Sequence, residues 1–128
     1  MPLRLVMAGG ALGSAARYLT GRAALAAWGP DFPYGTLAVN LIGGLLMGVL
    51  TGVLARMGGS ESWRLFVGVG ILGGFTTFSS FSLDVVTMIE RGALAPAAVY
   101  GLLSVVGSVG AVFAGLLLAR TIIGSAVA

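Results

Sequence analysis

From Thr36 to Ala55 the chain carries no charged residue. A run of that length matches the roughly 20 apolar residues that a helix needs to cross a hydrocarbon layer about 30 Å thick. Backbone amides and carbonyls find no water in that layer, so a spanning segment must satisfy them internally, as a helix does. Three further stretches have a similar character. Leu5 to Trp28 is interrupted by Arg17 and Arg22; Leu65 to about Ile89 closes with Glu90, Arg91 and Gly92; Leu94 to Leu118 has Pro96 in its first turn and Arg120 at its exit. The clearest turn is GPDFPYG at 29–35, and a polar loop, RMGGSESWR, covers 56–64. The expected fold is an all-α membrane protein, one domain over residues 1–128 with four transmembrane helices. The opening residues share a basic start and an apolar run with cleavable signals. They are read instead as the first span, because RYLTGR follows without a clear loop and the apolar pattern then resumes.

Composition supports the membrane reading and removes several chemistries. Only 9% of residues are charged and 58% are hydrophobic, whereas soluble domains carry about 25% charged residues. Without cysteine or histidine, the chain has no disulfide, no thiolate metal site, no thiol nucleophile and no imidazole base. There is no lysine and no GxxxxGK[ST] run, so no nucleotide-binding loop is visible. The net charge of +3 comes from seven arginines and four acids. Spread over short loops, the arginines read as anchors at the membrane interface rather than as a nucleic-acid patch. With four spans, Arg4, Arg56, Arg64 and Arg120 fall on one side together with both termini, and Arg22 and Arg91 fall on the other. That bias weakly favours cytoplasmic termini and leaves insertion in both orientations open.

Glycines recur at helical spacing. Gly9 with Gly13, and Gly44 with Gly48 and Gly52, form small-xxx-small faces that let helix backbones approach closely in lipid. Such faces serve either packing within a subunit or an interface between subunits. Four helices of this length hardly enclose a pathway alone, so a homo-oligomer is expected.

The third stretch contains GGFTTFSSFSLD, from Gly73 to Asp84. Glycines at 68, 70, 73 and 74, followed by hydroxyl residues, predict a helix broken at its centre. The alternative is a continuous glycine-rich helix whose hydroxyls bond back to the preceding turn. Phe78 and Phe81 share a face if the chain is helical there, and such rings ordinarily face lipid or core. With Thr76, Thr77, Ser79, Ser80 and Ser82 between and around them, their electropositive edges become candidates for lining an anion route. Asn40 in the second stretch is either a helix-to-helix hydrogen bond or a functional amide. Tyr100, Ser104 and Ser108 form one polar stripe on the fourth stretch. Asp84 and Arg17, the charges nearest the interior, either pair or snorkel; no nucleophile and base accompany them, so the chain is not read as an enzyme. Neutral donors with almost no full charge favour a small, strongly hydrated anion as the permeating species.

These segments resemble the Fluc/CrcB family of fluoride channels. The resemblance rests on GGALGSAARY (9–18), GTLAVNLIGG (35–44), GGFTTFSSFSLD (73–84) and YGLLSVVGS (100–108), in that order and spacing. It implies an antiparallel, dual-topology homodimer with two fluoride pores in a bacterial inner membrane. Asn40 would be a pore donor, Phe78 and Phe81 the aromatic edges, Tyr100, Ser104 and Ser108 a polar track, and Ser79 and Ser80 nearby hydroxyls. Arg17 would stand at a vestibule. A structural Na⁺ at the dimer centre would be held by the carbonyls of Gly73 and Thr76 from both subunits. Ser80, Phe75 and Asp84 depart mildly from the family's usual threonine, leucine and glutamate. Val112 stands where the track often continues with threonine, which bears on its outermost donor. Two other readings compete. A proton-coupled multidrug transporter of similar size would want an acid in its first helix, and that helix has none. A non-transporting scaffold would leave the aligned donors without a purpose.

Overall fold

The computed structural model describes residues 2–127, with side-chain surroundings from 2 to 123. It is all-helical, with no strand among the described residues. Helix α1 spans Pro2–Trp28 and α2 spans Tyr34–Met57. A short α3, Glu61–Trp63, runs into a π-helical stretch, Arg64–Leu72, which continues as α4, Gly73–Phe75. After three non-helical residues, α5 covers Ser79–Glu90, and α6 covers Leu94–Val127.

Local chemistry sets these boundaries. Gly58 ends α2 with a left-handed φ of 66°, a conformation that costs a side-chain-bearing residue energy, and its amide reaches back to the Leu54 carbonyl at 3.0 Å. Gly92, at φ 80°, allows the same kind of stop after α5. Ser60 opens α3 by accepting the Trp63 amide on its hydroxyl. Arg64 and Glu61 form an exposed ion pair one turn apart.

Three helical segments are long and apolar enough to cross a membrane: Tyr34–Met57, Glu61–Glu90 taken through its non-helical residues, and Leu94–Ile123. Large apolar side chains such as Leu102, Val106 and Phe113 are more than half exposed, as lipid-facing groups are. The expected first span does form a helix, α1, but it is not among these three. It carries Arg4, Arg17 and Arg22, and much of the rest is alanine and glycine.

Two seams hold the bundle. Along α2 and α6 the backbones nearly touch. A methyl group placed on Gly44 would lie 2.9 Å from the Ser108 carbonyl oxygen, and one on Gly48 would overlap the Val112 carbonyl. The second seam joins α1 to the π-helical stretch, where a methyl on Gly9 would lie 2.9 Å from Gly70 Cα. Both glycine faces therefore pack within this one chain, leaving no room for side chains between the helices. A small buried cluster of Met88, Ala97 and Tyr100, with Phe32, Leu37 and Phe81 against it, fixes α5 and α6 near the loop after α1.

Candidate functional site

Thr76 adopts an extended conformation (φ −85°, ψ 157°) directly after α4, so the regular ladder of backbone bonds lapses there. In lipid the freed groups need partners. The side chain of Asn40 supplies two: its Oδ1 accepts the Thr77 amide at 2.8 Å, and its Nδ2 donates to the Thr77 carbonyl at 2.9 Å. Only this orientation of the amide fits both bonds, and it leaves one N–H of Asn40 to spare. Arg17 of α1 donates from Nε to the Gly74 carbonyl at 3.1 Å. The Thr77 hydroxyl accepts the Ser80 amide at 3.2 Å and caps the first turn of α5. The Thr76 hydroxyl donates to the Leu72 carbonyl.

Beside the interruption lies an open-sided groove of about 430 Å³ between α2 and α6. Asn40, Thr76, Thr77, Phe78, Phe81, Ser104 and Ser108 contribute to its wall, with Met47, Val105, Val109 and Val112 as apolar lining. No charged residue borders it. Ser104 is buried, and its hydroxyl has no hydrogen-bond partner among the described residues. A buried hydroxyl without a partner is costly, so its presence on this wall marks the position as one that a ligand could repay.

The rings form a row rather than a pair. Phe78 is 73% exposed and stands 5.6 Å from Phe81, centroid to centroid; Phe81 in turn stands 5.1 Å from Tyr100. Tyr100 is fully buried and does not border the groove, and its hydroxyl donates to Asp84 Oδ2 at 2.9 Å. Ser79 is exposed and also lies outside the groove wall, 3.5 Å from the Thr77 hydroxyl. Ser80 faces a second hollow of about 380 Å³, shared with Arg17, Tyr18, Arg22 and Thr36. Arg17 and Asp84 do not pair with each other: one serves Gly74 and the other serves Tyr100.

Gly73 opens α4 and Thr76 is the first of the non-helical residues, and the winding removes the helical donor of each carbonyl. In an unbroken helix the Gly73 carbonyl would take the Thr77 amide, and the Thr76 carbonyl would take the Ser80 amide. Those amides bond instead to Asn40 and to the Thr77 hydroxyl. Two backbone oxygens thus lose their helical donors, and oxygen is the ligand type a hard cation accepts. No group of three or more acidic side chains able to hold a metal occurs among the described residues.

The family described as "CrcB-like protein, Camphor Resistance (CrcB)" matches residues 4–116. The chain belongs to the CrcB family. Among its CrcB relatives, the fluoride-specific ion channel FluC of Caulobacter sp. (strain K31) is 59% identical over 122 residues, covering 94% of this chain and 95% of the relative. The protein of the same description from Phenylobacterium zucineum is also 59% identical, covering 94% and 96%. That from Mesorhizobium japonicum is 52% identical over 120 residues, covering 94% and 97%. With its long apolar helices, this CrcB-family chain is a multi-pass membrane protein.

Sequence reasoning singled out Asn40 and Arg17 but missed the positions they hold. Thr77 and Gly74 take part through backbone atoms, which no residue type announces. Gly43 was also missed: a methyl there would overlap the Thr76 side chain, so its absence lets the interruption approach α2. The available signal was its place three residues after Asn40, on the same helix face.

Proposed function

We propose that this chain is a fluoride-selective channel that lets the anion leave a bacterial cell passively across the inner membrane. The observation that carries the reading is the groove wall: uncharged N–H and O–H donors and ring edges, with no full charge beside them. Fluoride is small and strongly hydrated, so its route must replace water with donors at close intervals. A cationic side chain on the wall would hold it too tightly to leave. The spare N–H of Asn40, the unpartnered hydroxyl of Ser104, and Ser108 one turn on provide such donors. Phe78 and Phe81 offer electropositive edges between them. The naming of close relatives as fluoride-specific channels supports the same reading.

In this reading α1 is a fourth span despite its arginines, and residues 76–78 break the third. The groove is open on one side and Phe78 is largely exposed, so a second copy would close it. An antiparallel, dual-topology homodimer would make two such routes. Tyr100 would act behind the ring row, Ser79 and Ser80 at its margins, and Arg17 in the hollow that serves as a vestibule. The carbonyls of Gly73 and Thr76, relieved of their helical donors, fit a structural Na⁺ shared by two copies. When bound, that ion would neutralise oxygen dipoles that lipid cannot satisfy.

The test is fluoride-electrode efflux from vesicles containing the purified protein, with chloride as control. Fluoride efflux without chloride efflux is expected, and its loss in Phe78→Ile and Phe81→Ile while the protein remains dimeric. Equal passage of both anions, or undiminished flux in both variants, would refute the reading. Removing Na⁺ from all solutions should reduce flux or dimer stability; indifference to Na⁺ removes the cation from the account.

A further inference from the structure

α1 contributes nothing to the groove wall, yet one of its faces runs along the segment that leads into the interruption, turn after turn. Gly9, Gly13 and Arg17 are spaced by four and share that face. A methyl on Gly13 would lie 2.9 Å from the Phe75 amide nitrogen and would overlap the Ile71 carbonyl. The α1 backbone is therefore seated directly on the residues that precede Thr76, with no side chain between to absorb a displacement. One turn further, Arg17 donates to Gly74.

That bond falls at a decisive place. In a continuous helix the Gly74 carbonyl would accept the Phe78 amide. Because Thr76 is extended, the amide is out of reach, and the Arg17 guanidinium stands in its place. Remove that donor and the cheapest way to satisfy the carbonyl at membrane depth is to rewind 76–78 into helix. Rewinding would pull Thr77 off Asn40 and rotate Phe78 on the groove wall.

We infer that Arg17 is a positioning residue for transport: its Nε–H on the Gly74 carbonyl, with α1 seated through Gly13, holds the interruption open. The inference rests on the fluoride-channel reading and differs from a role as a charge in the vestibule. A vestibule charge attracts anions from where it stands, whereas the bond acts through Gly74 on a groove wall to which α1 contributes no residue.

The two are separable. Gly74–Phe75 is the only Gly-Phe dipeptide in the chain, so joint labelling with ¹³C-carbonyl glycine and ¹⁵N phenylalanine isolates one carbonyl signal in the full-length protein in lipid. Arg17→Met is expected to move that signal and to lower fluoride efflux by at least about tenfold, the effect of one charge-assisted hydrogen bond on a two-state balance. Efflux that falls while the carbonyl signal stays put overturns the inference and leaves Arg17 as a vestibule charge. A moved signal with unchanged efflux overturns it too. Arg17→Lys retains the charge and serves if Arg17→Met fails to fold. Efflux that recovers only as far as the carbonyl signal recovers supports positioning, and full efflux with a displaced signal refutes it. A wild-type protein that passes no fluoride removes the functional reading itself, a result seen before any variant is compared.

Discussion

The α2–α6 seam and the segment from Gly73 to Ser80 solve the same problem in opposite ways. Along the seam, both helices keep their own backbone bonds, and glycine lets carbonyls and Cα atoms approach until nothing else fits. Around 76–78 the backbone gives up its bonds, and side chains from α1 and α2 restore them one at a time. Shape holds the first region and directed hydrogen bonds hold the second. Shape tolerates no added atom. The hydrogen bonds tolerate none missing.

Breaking the seam should have the largest effect. Gly48→Val would drive a branched side chain into the Val112 carbonyl and Gly115. With backbone on the far side and no flexible neighbour to yield, it should destabilise the subunit by about 3 kcal/mol or more, measured by denaturant unfolding in detergent. Asn40→Ala comes next. It strips Thr77 of both partners and should cost about 2–3 kcal/mol, since an unpaired buried backbone group costs about 1–3 kcal/mol and part relaxes. Fluoride efflux should vanish with it, and full efflux together with unchanged unfolding would make the two bonds incidental. The smallest change sharpens the comparison most. Ser104→Ala removes a buried hydroxyl that lacks a partner, so stability should hold or rise by up to about 1 kcal/mol while efflux falls. If stability and efflux fell together, Ser104 would belong to the packing seam.

The same contrast explains what could be read from the residues alone. Long uncharged runs are properties of consecutive letters, so the element at Tyr34–Met57 and that from Leu94 as far as Leu118 were legible, whereas α6 continues past Arg120, which reads as an exit, to Val127. Glycine faces at intervals of four were legible too, though their partner helix was not. Asn40 stood out as an amide among apolar residues. Its counterpart did not, because it is the backbone of a threonine 37 residues away, and every residue has a backbone. The π-helical winding of Arg64–Leu72 also escaped notice: glycines at 68 and 70 advertise a weak α-helix without saying what replaces it. Tyr100 reads as one stripe with Ser104 and Ser108, but α5 brings Asp84 to its hydroxyl and Phe81 to its ring, drawing it away from the wall the serines border. Ser80 likewise turns to the hollow beside Arg17 because the Thr77 cap fixes the first turn of α5.

The Asn40 clasp and the Arg17 bond carry a consequence for biosynthesis. Both side chains precede the segment they serve, in the order Arg17, Asn40, then Gly74 and Thr77. Chains are made from the N-terminus and earlier parts fold first. As the ribosome delivers the unwound residues to the bilayer, the partners of Thr77 and of the Gly74 carbonyl are already made, and neither has to wait for a later helix. Moving either partner downstream by permuting the gene would leave every contact of the finished protein available and still make it harder to assemble.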